Sequence, residues 1–564
     1  MGAQLHESEL TVGGMADAAA FLDTFRRRHG RPLRVLHIGN VANNAYNNAK
    51  LMRKAGAECD VLCYNYYHIM GCPEWEDADF EAAPSDQFHP QWSDVDLGAY
   101  QRPQWFVQGP IAFCMAYLIA KLEGNKARAD ILWRVLGICN GTMRAEWFPR
   151  DPELLWALIV AHWARAKDFY RRVAISNDPW LAIRRRMGIE ERARPTVKVL
   201  AAHATMGAVT VVRALDRVLG GKDRMRAMEM RVGRRAKELA DAFAHEFPER
   251  GDRLTVKELL EYGSLSDLWS RLLSHYDIVQ AYATDAIFPL VAGKPYFAFE
   301  HGTLREIPFN PDPVGRTTAL SYRLAQHVFV TNADCMGKAR QLAGERITFI
   351  NHPYDDDQEV DVVAAERLRR ELGERLDADF LIFFPTRHNW RPPNAEKAND
   401  VLLRAFCRLR AGGKRVGLVC CDWGADAPES KRILAENDCG AHVSWVQPLG
   451  MVRFGRMAKA CDIVADQFVF GAFGGILFKA FAVGAPVLTY LDESAVLRVY
   501  PECPPVLNCR TEDEIVRAVE AAIASPGELR ARARASKAWM DKHHHASLTV
   551  AKQIEQYRRF LEGE

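Results

Sequence analysis

The stretch CDIVADQFVFGAFGGILFKAFAVGAPVLTYL, from Cys461 to Leu491, constrains the fold more than any other part of the sequence. Its first apolar run, Ile463 to Phe468, predicts a short strand, and a glycine-rich turn separates this run from a predicted helix at about Ile476 to Val483. A Gly-Ala-Pro sequence then ends the helix, and Val487 to Leu491 predicts a second strand. Such a turn places free backbone N–H groups at the positive end of a helix dipole, which suits a phosphate or diphosphate. Glycines that only allow a helix to pack closely on a strand would give the same pattern.

The residues after the turn resemble those of one known family. Phe473-Gly474 is followed by KAFAVGAPV, which begins at Lys479. This order resembles the donor-site segment of the family 4 glycosyltransferases, in which an FG turn precedes a helix reading roughly EAMAxGxPVV. The resemblance implies an α/β protein with the GT-B fold, in which two Rossmann-like doubly wound domains face a cleft. It also implies that the main-chain amides of Gly474 and Gly475 bind the diphosphate of a sugar nucleotide.

The sequence departs from this family at two positions. The family usually has a pair of Glu residues, and here Gly471 and Lys479 occupy the matching positions. In the family, the first Glu contacts sugar hydroxyls and the second contacts the ribose, so here another group must bind the ribose or the donor is unusual. Lys479 is expected to pair with a phosphate or with Asp466, and both residues are candidates for donor binding.

Two cations follow the first predicted strand of the second domain, Asp379 to Pro385. The same resemblance implies that Arg387 and Lys397 clamp the donor diphosphate, and both are candidate catalytic residues. A planar guanidinium and an ammonium on opposite sides of a diphosphate are chemically reasonable, because the leaving group gains negative charge as the glycosidic bond breaks. The gap between them is longer than in the family, and Ala398 replaces the usual Gly. Two surface cations beside a turn are the alternative interpretation.

The first domain supplies the other side of the predicted site. Leu33 to Ile38 is a buried strand of the parallel type, and Gly39 and Asn40 begin a loop rich in Asn. The resemblance implies that Gly39 and Asn40 close the donor site, although turn and cap roles explain Asn residues equally well. A later strand, Pro295 to Glu300, ends at His301, which the resemblance places beside the transferred sugar as the third candidate catalytic residue. A histidine at a strand end is otherwise usually structural.

Domain boundaries follow from where strands and helices alternate. Residues 1–67 and 273–352 are assigned to an N-terminal Rossmann-like domain on the acceptor side, and residues 353–545 to a C-terminal Rossmann-like domain that binds the donor. Residues 546–564 are predicted to form a helix that returns to the first domain. Residues 68–272 are rich in Trp, Arg and Leu with apolar residues at helical spacing, which predicts a large, mostly helical insertion in the N-terminal domain.

Composition limits the class of protein and its compartment. The chain has 13 cysteines and no CxxC pair, which favours reduced thiols over disulfides or a zinc site. No secretory signal is recognised, and the longest apolar runs are too short to span a membrane, so a cytoplasmic protein is expected. The net charge is only +2, but residues 121–250 contain 26 Lys and Arg against 16 Asp and Glu. This basic segment is either a solvated helical surface or a patch for peripheral binding at the inner membrane face.

The residues and the resemblance together predict a glycosyltransferase that moves a sugar from a nucleotide-diphosphate donor to an acceptor hydroxyl. The resemblance implies retention of anomeric configuration, no metal or other cofactor, and a role in the synthesis of cell-surface glycans or glycoconjugates. The expected partners are the sugar nucleotide, a glycan, lipid-linked or small-molecule acceptor, and an anionic membrane surface. Nucleic acid is not expected, because no nucleic-acid-binding module is recognised. A degenerate GT-B protein that binds a sugar nucleotide or a protein partner without catalysis is the alternative.

Overall fold

Two parallel β-sheets organise the part of the chain that the computed structural model describes, residues 12–144, 222–356, 359–392 and 397–563. The strands of the first sheet are β1 (Arg34–Ile38), β2 (Glu58–Tyr64), β3 (Phe106–Gly109), β4 (Ile278–Tyr282), β5 (Phe297–Phe299), β6 (His327–Val330) and β7 (Ile347–Phe349). Those of the second sheet are β8 (Phe380–Phe384), β9 (Val416–Cys421), β10 (Val443–Val446), β11 (Ile463–Ala465), β12 (Val487–Thr489) and β13 (Leu507–Asn508). The spatial orders are β3-β2-β1-β4-β5-β6-β7 and β10-β9-β8-β11-β12-β13.

Helices connect the strands and flank the sheets. In chain order they are α1 (Val12–His29), α2 (Asn44–Lys54), α3 (Pro73–Asp77), α4 (Ile111–Leu122), α5 (Lys126–Cys139), α6 (Lys222–Glu246), α7 (Val256–Leu260), α8 (Ser266–Leu273), α9 (Ile287–Ala292), α10 (Pro313–Leu324), α11 (Met336–Ala343), α12 (Val362–Leu376), α13 (Asn399–Ala411), α14 (Ala427–Glu436), α15 (Met451–Ala460), α16 (Gly475–Ala482), α17 (Glu493–Val496), α18 (Glu512–Ala524), α19 (Pro526–His543) and α20 (Ala546–Glu562).

Both sheets are covered on both faces, as expected for parallel strands joined by helical crossovers. Every residue of β4 and of β8 is buried. Successive residues of one strand, such as Val35 and Leu36, belong to different hydrophobic clusters, because side chains alternate between the two faces. The predicted α/β class and the two Rossmann-like doubly wound domains are confirmed.

Each sheet has one point where the strand order reverses. In the first sheet this point lies between β1 and β4, where Ile38 pairs with Ala281. In the second it lies between β8 and β11, where Phe383 pairs with Val464. Ligands of open α/β sheets bind beyond the carboxyl ends of the strands at such a point. The residues that follow these four strands are therefore the first candidates for a binding site.

The prediction of one helical insertion over residues 68–272 is wrong for its first part. β3 lies within that range and is an edge strand of the first sheet, where Val61 pairs with Phe106 and Tyr64 with Gly109. The helices α4 and α5 that follow it pack into the core of the same domain. Its sequence, FVQG, has only two apolar residues in succession and therefore shows no recognisable apolar run. Residues 145–221 of the predicted insertion lie outside the described residues.

The segment between β2 and β3 packs on the second domain. The rings of Trp75 in α3 and Trp423 are stacked with their centroids 6.4 Å apart. Asp79 forms ion pairs with Arg453 and Arg456 of α15, both at 2.7 Å. This segment therefore joins the two domains.

The C-terminal helix α20 returns to the first domain, as predicted. Its Tyr557 hydroxyl donates a hydrogen bond to Oε1 of Gln280 in β4 (2.6 Å), and Nε2 of Gln280 donates to Oε1 of Gln553 (3.0 Å). Gln553 in turn donates to Oδ1 of Asn48 in α2 (2.9 Å). These buried bonds fix the helix across the first sheet.

Candidate functional site

The loop after β8 is held by the second domain and contains Arg387. The Asp426 carboxylate accepts hydrogen bonds from the main-chain N–H groups of Trp390 (2.8 Å) and Arg391 (3.0 Å) and from the Arg391 side chain (2.7 Å). These bonds set the course of the main chain. Within the described residues, the side chains of Arg387 and Lys397 form no hydrogen bond or ion pair, and both are half-buried. Their charge is therefore available to an anionic ligand.

Lys397 lies beside the carboxyl end of β11. Its main-chain oxygen accepts a hydrogen bond from the N–H group of Phe468 (3.1 Å). Asp466 follows β11 directly and is only 2% exposed. Burial raises the pKa of this carboxyl, and the Lys397 ammonium opposes that shift. The structure thus brings Lys397 and Asp466 together at the reversal point of the second sheet.

The glycine-rich turn packs against the Asp466 carboxylate. Gly474 precedes α16, and a Cβ at Gly474 would lie 2.2 Å from Oδ2 of Asp466. The side chain of Gln467 spans the turn: its Nε2 donates to the oxygen of Ala472 (2.9 Å) and its Oε1 accepts from the N–H group of Phe470 (3.0 Å). The predicted strand, turn and helix are present, and the first N–H groups of α16 have no acceptor within the helix. The turn before these N–H groups and Lys397 therefore both lie near Asp466.

Lys479 does not pair with Asp466, which was one of its two predicted partners. It lies opposite Glu76 of α3, so that burial lowers the pKa of Lys479 while the Glu76 charge raises it. Burial raises the pKa of Glu76, and Lys479 opposes this. Glu76 also accepts a hydrogen bond from Nδ2 of Asn43 (3.3 Å). Lys479, whose pKa responds to the Glu76 carboxyl of the other domain, therefore occupies one position where the family has a Glu, while Gly471, at φ +62°, occupies the other.

Arg387 lies at the junction between the domains, because its charge acts on two side chains of the first. Burial and the nearby Arg387 guanidinium together lower the pKa of His68 to about 4. Burial raises the pKa of Tyr66, and the same guanidinium opposes this. A ligand bound to Arg387 would therefore also be near Tyr66 and His68.

His301 follows β5 and lies on the first-domain side of the junction. Nδ2 of Asn44 in α2 donates a hydrogen bond to its Nδ1 (2.8 Å). Its ring centroid is 5.8 Å from that of His352, which is 6.0 Å from Phe478 in α16. Desolvation lowers the pKa of His301 to about 4. The imidazole is therefore neutral at neutral pH and interacts with a ligand through hydrogen bonds, not through charge.

Gly39 and Asn40 follow β1 as predicted, but the Asn40 side chain is used inside the loop. Its Nδ2 donates to the oxygen of Gly71 (2.9 Å), and its Oδ1 accepts from the N–H group of Tyr46 (3.0 Å). Gly39 and Asn40 can therefore face a donor only with their main-chain atoms. Gly39 has φ +89°, and a Cβ there would lie 2.1 Å from Oδ2 of Asp285.

Two carboxyl groups at the site, Glu76 and Asp285, were not predicted. Glu76 lies in the range assigned to the insertion, so no strand or motif pointed to it. Asp285 lies three residues after the end of β4. The rule that ligands bind beyond the carboxyl ends of strands could have identified Asp285.

Among the described residues, no group of three or more His, Cys, Asp or Glu side chains could hold a metal ion. A helix long and apolar enough to cross a bilayer is likewise not found in these parts of the chain. All 13 cysteines are unpaired, and all except Cys503 are buried.

No protein-family model matches the chain, and no curated protein matches it. Among solved structures, Anabaena HepE in complex with UDP and glucose is similar over 58% of this chain and 96% of its own, with 17% identity and a TM-score of 0.42. Sucrose-phosphate synthase from Thermosynechococcus elongatus covers 53% of this chain and 80% of its own, with 14% identity and a TM-score of 0.39. UDP-GlcNAc 2-epimerase from Neisseria meningitidis covers 54% and 82%, with 15% identity and a TM-score of 0.37. Similarity at this level assigns no activity to this chain.

Proposed function

We propose that this protein transfers a sugar from a nucleotide-diphosphate donor to an acceptor hydroxyl at the junction of its two domains. One observation supports this most directly. Arg387 and Lys397 form no hydrogen bond or ion pair among the described residues, and both lie at the reversal point of the second sheet. There Lys397 is close to the Asp466 carboxylate, which contacts the Gly474 turn. Two cations and a helix N-terminus are suited to a diphosphate.

The leaving group explains why these groups would accelerate the reaction. When the bond between the anomeric carbon and the diphosphate breaks, the diphosphate oxygen gains negative charge. Arg387, Lys397 and the first N–H groups of α16 stabilise that charge more strongly in the transition state than in the bound donor. The neutral His301 is placed on the first-domain side, where its ring can exchange a hydrogen bond with a sugar hydroxyl.

Lys479 and Glu76 are proposed to act as one unit in donor binding. Glu76 is 4% exposed, and its charge favours the protonated form of Lys479. Lys479 would then be a third cation, after Arg387 and Lys397, that contacts a phosphate of the donor. Its interaction with Glu76 would link the two domains beside the nucleotide. In this proposal, Glu76 of the first domain supplies the carboxylate that the family has in the second domain, at the position of Lys479.

The finer features are proposals on the same basis. Retention of configuration, independence of a metal ion and a role in glycan or glycoconjugate synthesis follow from the family resemblance of the Gly474 and Arg387 segments. The acceptor is a glycan, a lipid-linked molecule or a small molecule. The excess of basic residues in 121–250 supports peripheral binding to anionic lipid at the cytoplasmic face of a membrane.

The test is a donor panel. The full chain is incubated with UDP-glucose, UDP-GlcNAc, GDP-mannose and ADP-glucose, each with and without p-nitrophenyl glycosides as acceptors, and release of the nucleoside diphosphate is measured. Release from at least one donor, with the product anomer determined by NMR, is the expected result. If no donor is bound and none is consumed, the proposal is wrong. A donor that binds tightly without any release would instead indicate the degenerate binding protein.

A further inference from the structure

The carboxyl edge of the second sheet continues past the proposed diphosphate site. Three side chains follow adjacent strands there: Phe470 lies in the loop after β11, Tyr490 comes directly after β12, and Arg510 comes two residues after β13. Adjacent parallel strands bring the residues at their carboxyl ends close together, and ligands of such sheets bind at this edge. The proposed function uses none of these three side chains.

Phe470 is held in an exposed position by a well-fixed loop. Its side chain is 62% exposed, and it is the only aromatic one among the exposed large apolar side chains of the described residues. Its N–H group donates to Oε1 of the buried Gln467 (3.0 Å), whose Nε2 donates to the oxygen of Ala472 (2.9 Å). The next residue, Gly471, has φ +62°, and a Cβ there would lie 2.9 Å from Cε1 of Tyr490. The main chain is therefore fixed on both sides of an aromatic ring that faces solvent.

Tyr490 and Arg510 add polar groups beside this ring. The guanidinium carbon of Arg510 lies over the Tyr490 ring, 4.9 Å from its centroid. This contact orders the guanidinium and leaves its N–H groups available for an anion. Within the described parts of the chain, the guanidinium forms no ion pair and the Tyr490 hydroxyl forms no hydrogen bond. An aromatic surface and an available cation therefore lie at one edge of the sheet.

This part of the edge lies at the junction with the first domain. The helix α17 starts three residues after Tyr490 and packs against the turn Ala333–Cys335, which follows β6 of the first domain. In that turn, Asp334 forms an ion pair with Arg305 (2.7 Å). Arg305 lies four residues after His301, the residue proposed to contact the transferred sugar. The segment after β12 and the turn after His301 therefore lie on the same side of the junction.

We infer that Phe470, Tyr490 and Arg510 bind the acceptor and that this acceptor is a sugar with an anionic group, an inference that rests on the proposed function. Aromatic rings supply a large, flat apolar surface, which suits the apolar face of a pyranose ring. A guanidinium binds a carboxylate or a phosphate through paired N–H groups. The acceptor is thus a uronic acid or a phosphorylated sugar, and one of its hydroxyl groups receives the sugar from the donor beside His301.

Binding of free sugars tests this site without turnover. Ligand-detected NMR with the full chain, saturated with its nucleoside diphosphate, measures the Kd values of glucose, glucuronate and glucose 6-phosphate. At least one of the two anionic sugars should bind roughly 10- to 150-fold more tightly than glucose, and the comparison between them distinguishes a carboxylate from a phosphate. Acetate and inorganic phosphate are the anion controls. If neither anionic sugar binds better than glucose, or if the simple anions compete at equal concentration, the inference is wrong.

Two variants separate the contributions of the cation and the ring. Arg510→Ala should reduce the preference for the anionic sugar over glucose to within threefold, and Phe470→Ala should weaken binding of the anionic sugar roughly 2- to 12-fold. Both variants should bind the nucleoside diphosphate within twofold of the wild type, which also shows that they are folded. Arg534→Ala, at an exposed arginine of α19, and Val363→Ala, at a 78% exposed side chain, are the matched controls.

Turnover then tests whether the bound sugar is the acceptor. With the active donor of the panel, transfer to the preferred anionic sugar should have a kcat/KM at least roughly 10-fold above that for glucose, and Arg510→Ala should abolish this difference. A wild type that consumes a donor while both variants keep sugar binding and turnover within twofold would overturn the acceptor site and leave the transferase proposal intact. A wild type that neither binds nor consumes any donor would overturn both.

Discussion

Gly474 must be glycine for a steric reason and not for a conformational one. Its backbone angles, φ −95° and ψ 155°, are accessible to any residue. A Cβ would nevertheless lie 2.2 Å from Oδ2 of Asp466, whereas the next residue, Gly475, has open space at the corresponding position. Of these two adjacent glycines, only Gly474 is required by the packing of the turn on Asp466.

Gly474→Ala should therefore destabilise the protein by about 1–3 kcal/mol, because the methyl group forces the Asp466 carboxylate out of its place. Gly475→Ala is the matched control and should change the free energy of unfolding by less than about 0.5 kcal/mol. Chemical denaturation of both variants measures the difference. Equal stability of the two variants would show that the turn does not rest on Asp466.

The sequence and its family resemblance were enough to predict some of the site but not its cross-domain partners. Lys397 was predicted from the resemblance, and Gly474 from the glycine-rich turn together with the resemblance, and the structure brings both to Asp466. The partner of Lys479 could not be predicted, because Glu76 belongs to the other domain and to a segment without a recognisable pattern. Asp285 could have been proposed from its position after β4, since strand ends can be read from apolar runs.

At the scale of elements, the turn between α19 and α20 packs against α16, the helix that follows the glycine-rich turn. The His544 ring is stacked on Phe478 of α16 with centroids 3.7 Å apart and is 1% exposed. Both of its ring nitrogens are buried without a hydrogen-bond partner among the described residues. Burial lowers the pKa of His544 well below its usual value. The folded protein therefore keeps this ring neutral, and the ring gains a proton more readily when the region around α16 unfolds.

His544→Phe should keep the stack and reduce the loss of stability in acid. In the wild type, the unfolded chain binds a proton at His544 below about pH 6.5 while the folded chain does not, so stability falls as the pH falls. The variant should narrow the difference in unfolding free energy between pH 8 and pH 5 by about 2 kcal/mol. Thermal unfolding at both pH values measures this. His245→Phe, at an 84% exposed side chain, is the control, and the same pH dependence in all three proteins would contradict the prediction.

Strands that lie within an apolar run of the sequence were predicted more easily than strands that do not. The buried strands β1, β8 and β11 were recognised because each is an apolar run next to a loop of Gly or Asn residues. β3 was missed because its sequence, FVQG, has only two apolar residues in succession, and its place in the sheet depends on pairing with β2. Because β3 was missed, the predicted insertion wrongly included part of the first domain.

At the scale of the whole molecule, the two sheets have the same winding, and their reversal points are linked through the junction. The loop after β1 contacts Gly71 and Tyr66, and Arg387 approaches Tyr66 from the second domain. The segment with Trp75 and Asp79 and the helix α20 cross between the domains on either side. The return of α20 was predicted, but its contacts and the crossing near Trp75 were not, because they depend on residues that are distant in the sequence. The proposed function requires that both domains contribute to one site.

The most direct test is the affinity for a nucleoside diphosphate, measured by calorimetry with UDP, GDP and ADP for the wild type, Arg387→Ala and Lys397→Ala. Arg404→Ala, at a half-exposed arginine on the outer helix α13, is the matched control. Loss of a charged hydrogen bond costs ~1.5–3 kcal/mol, so each of the two site variants should bind roughly 10- to 150-fold more weakly, with the control unchanged. If the wild type binds one of these nucleotides and both site variants bind it within twofold of the wild type, the two cations do not hold the diphosphate and the central claim is contradicted.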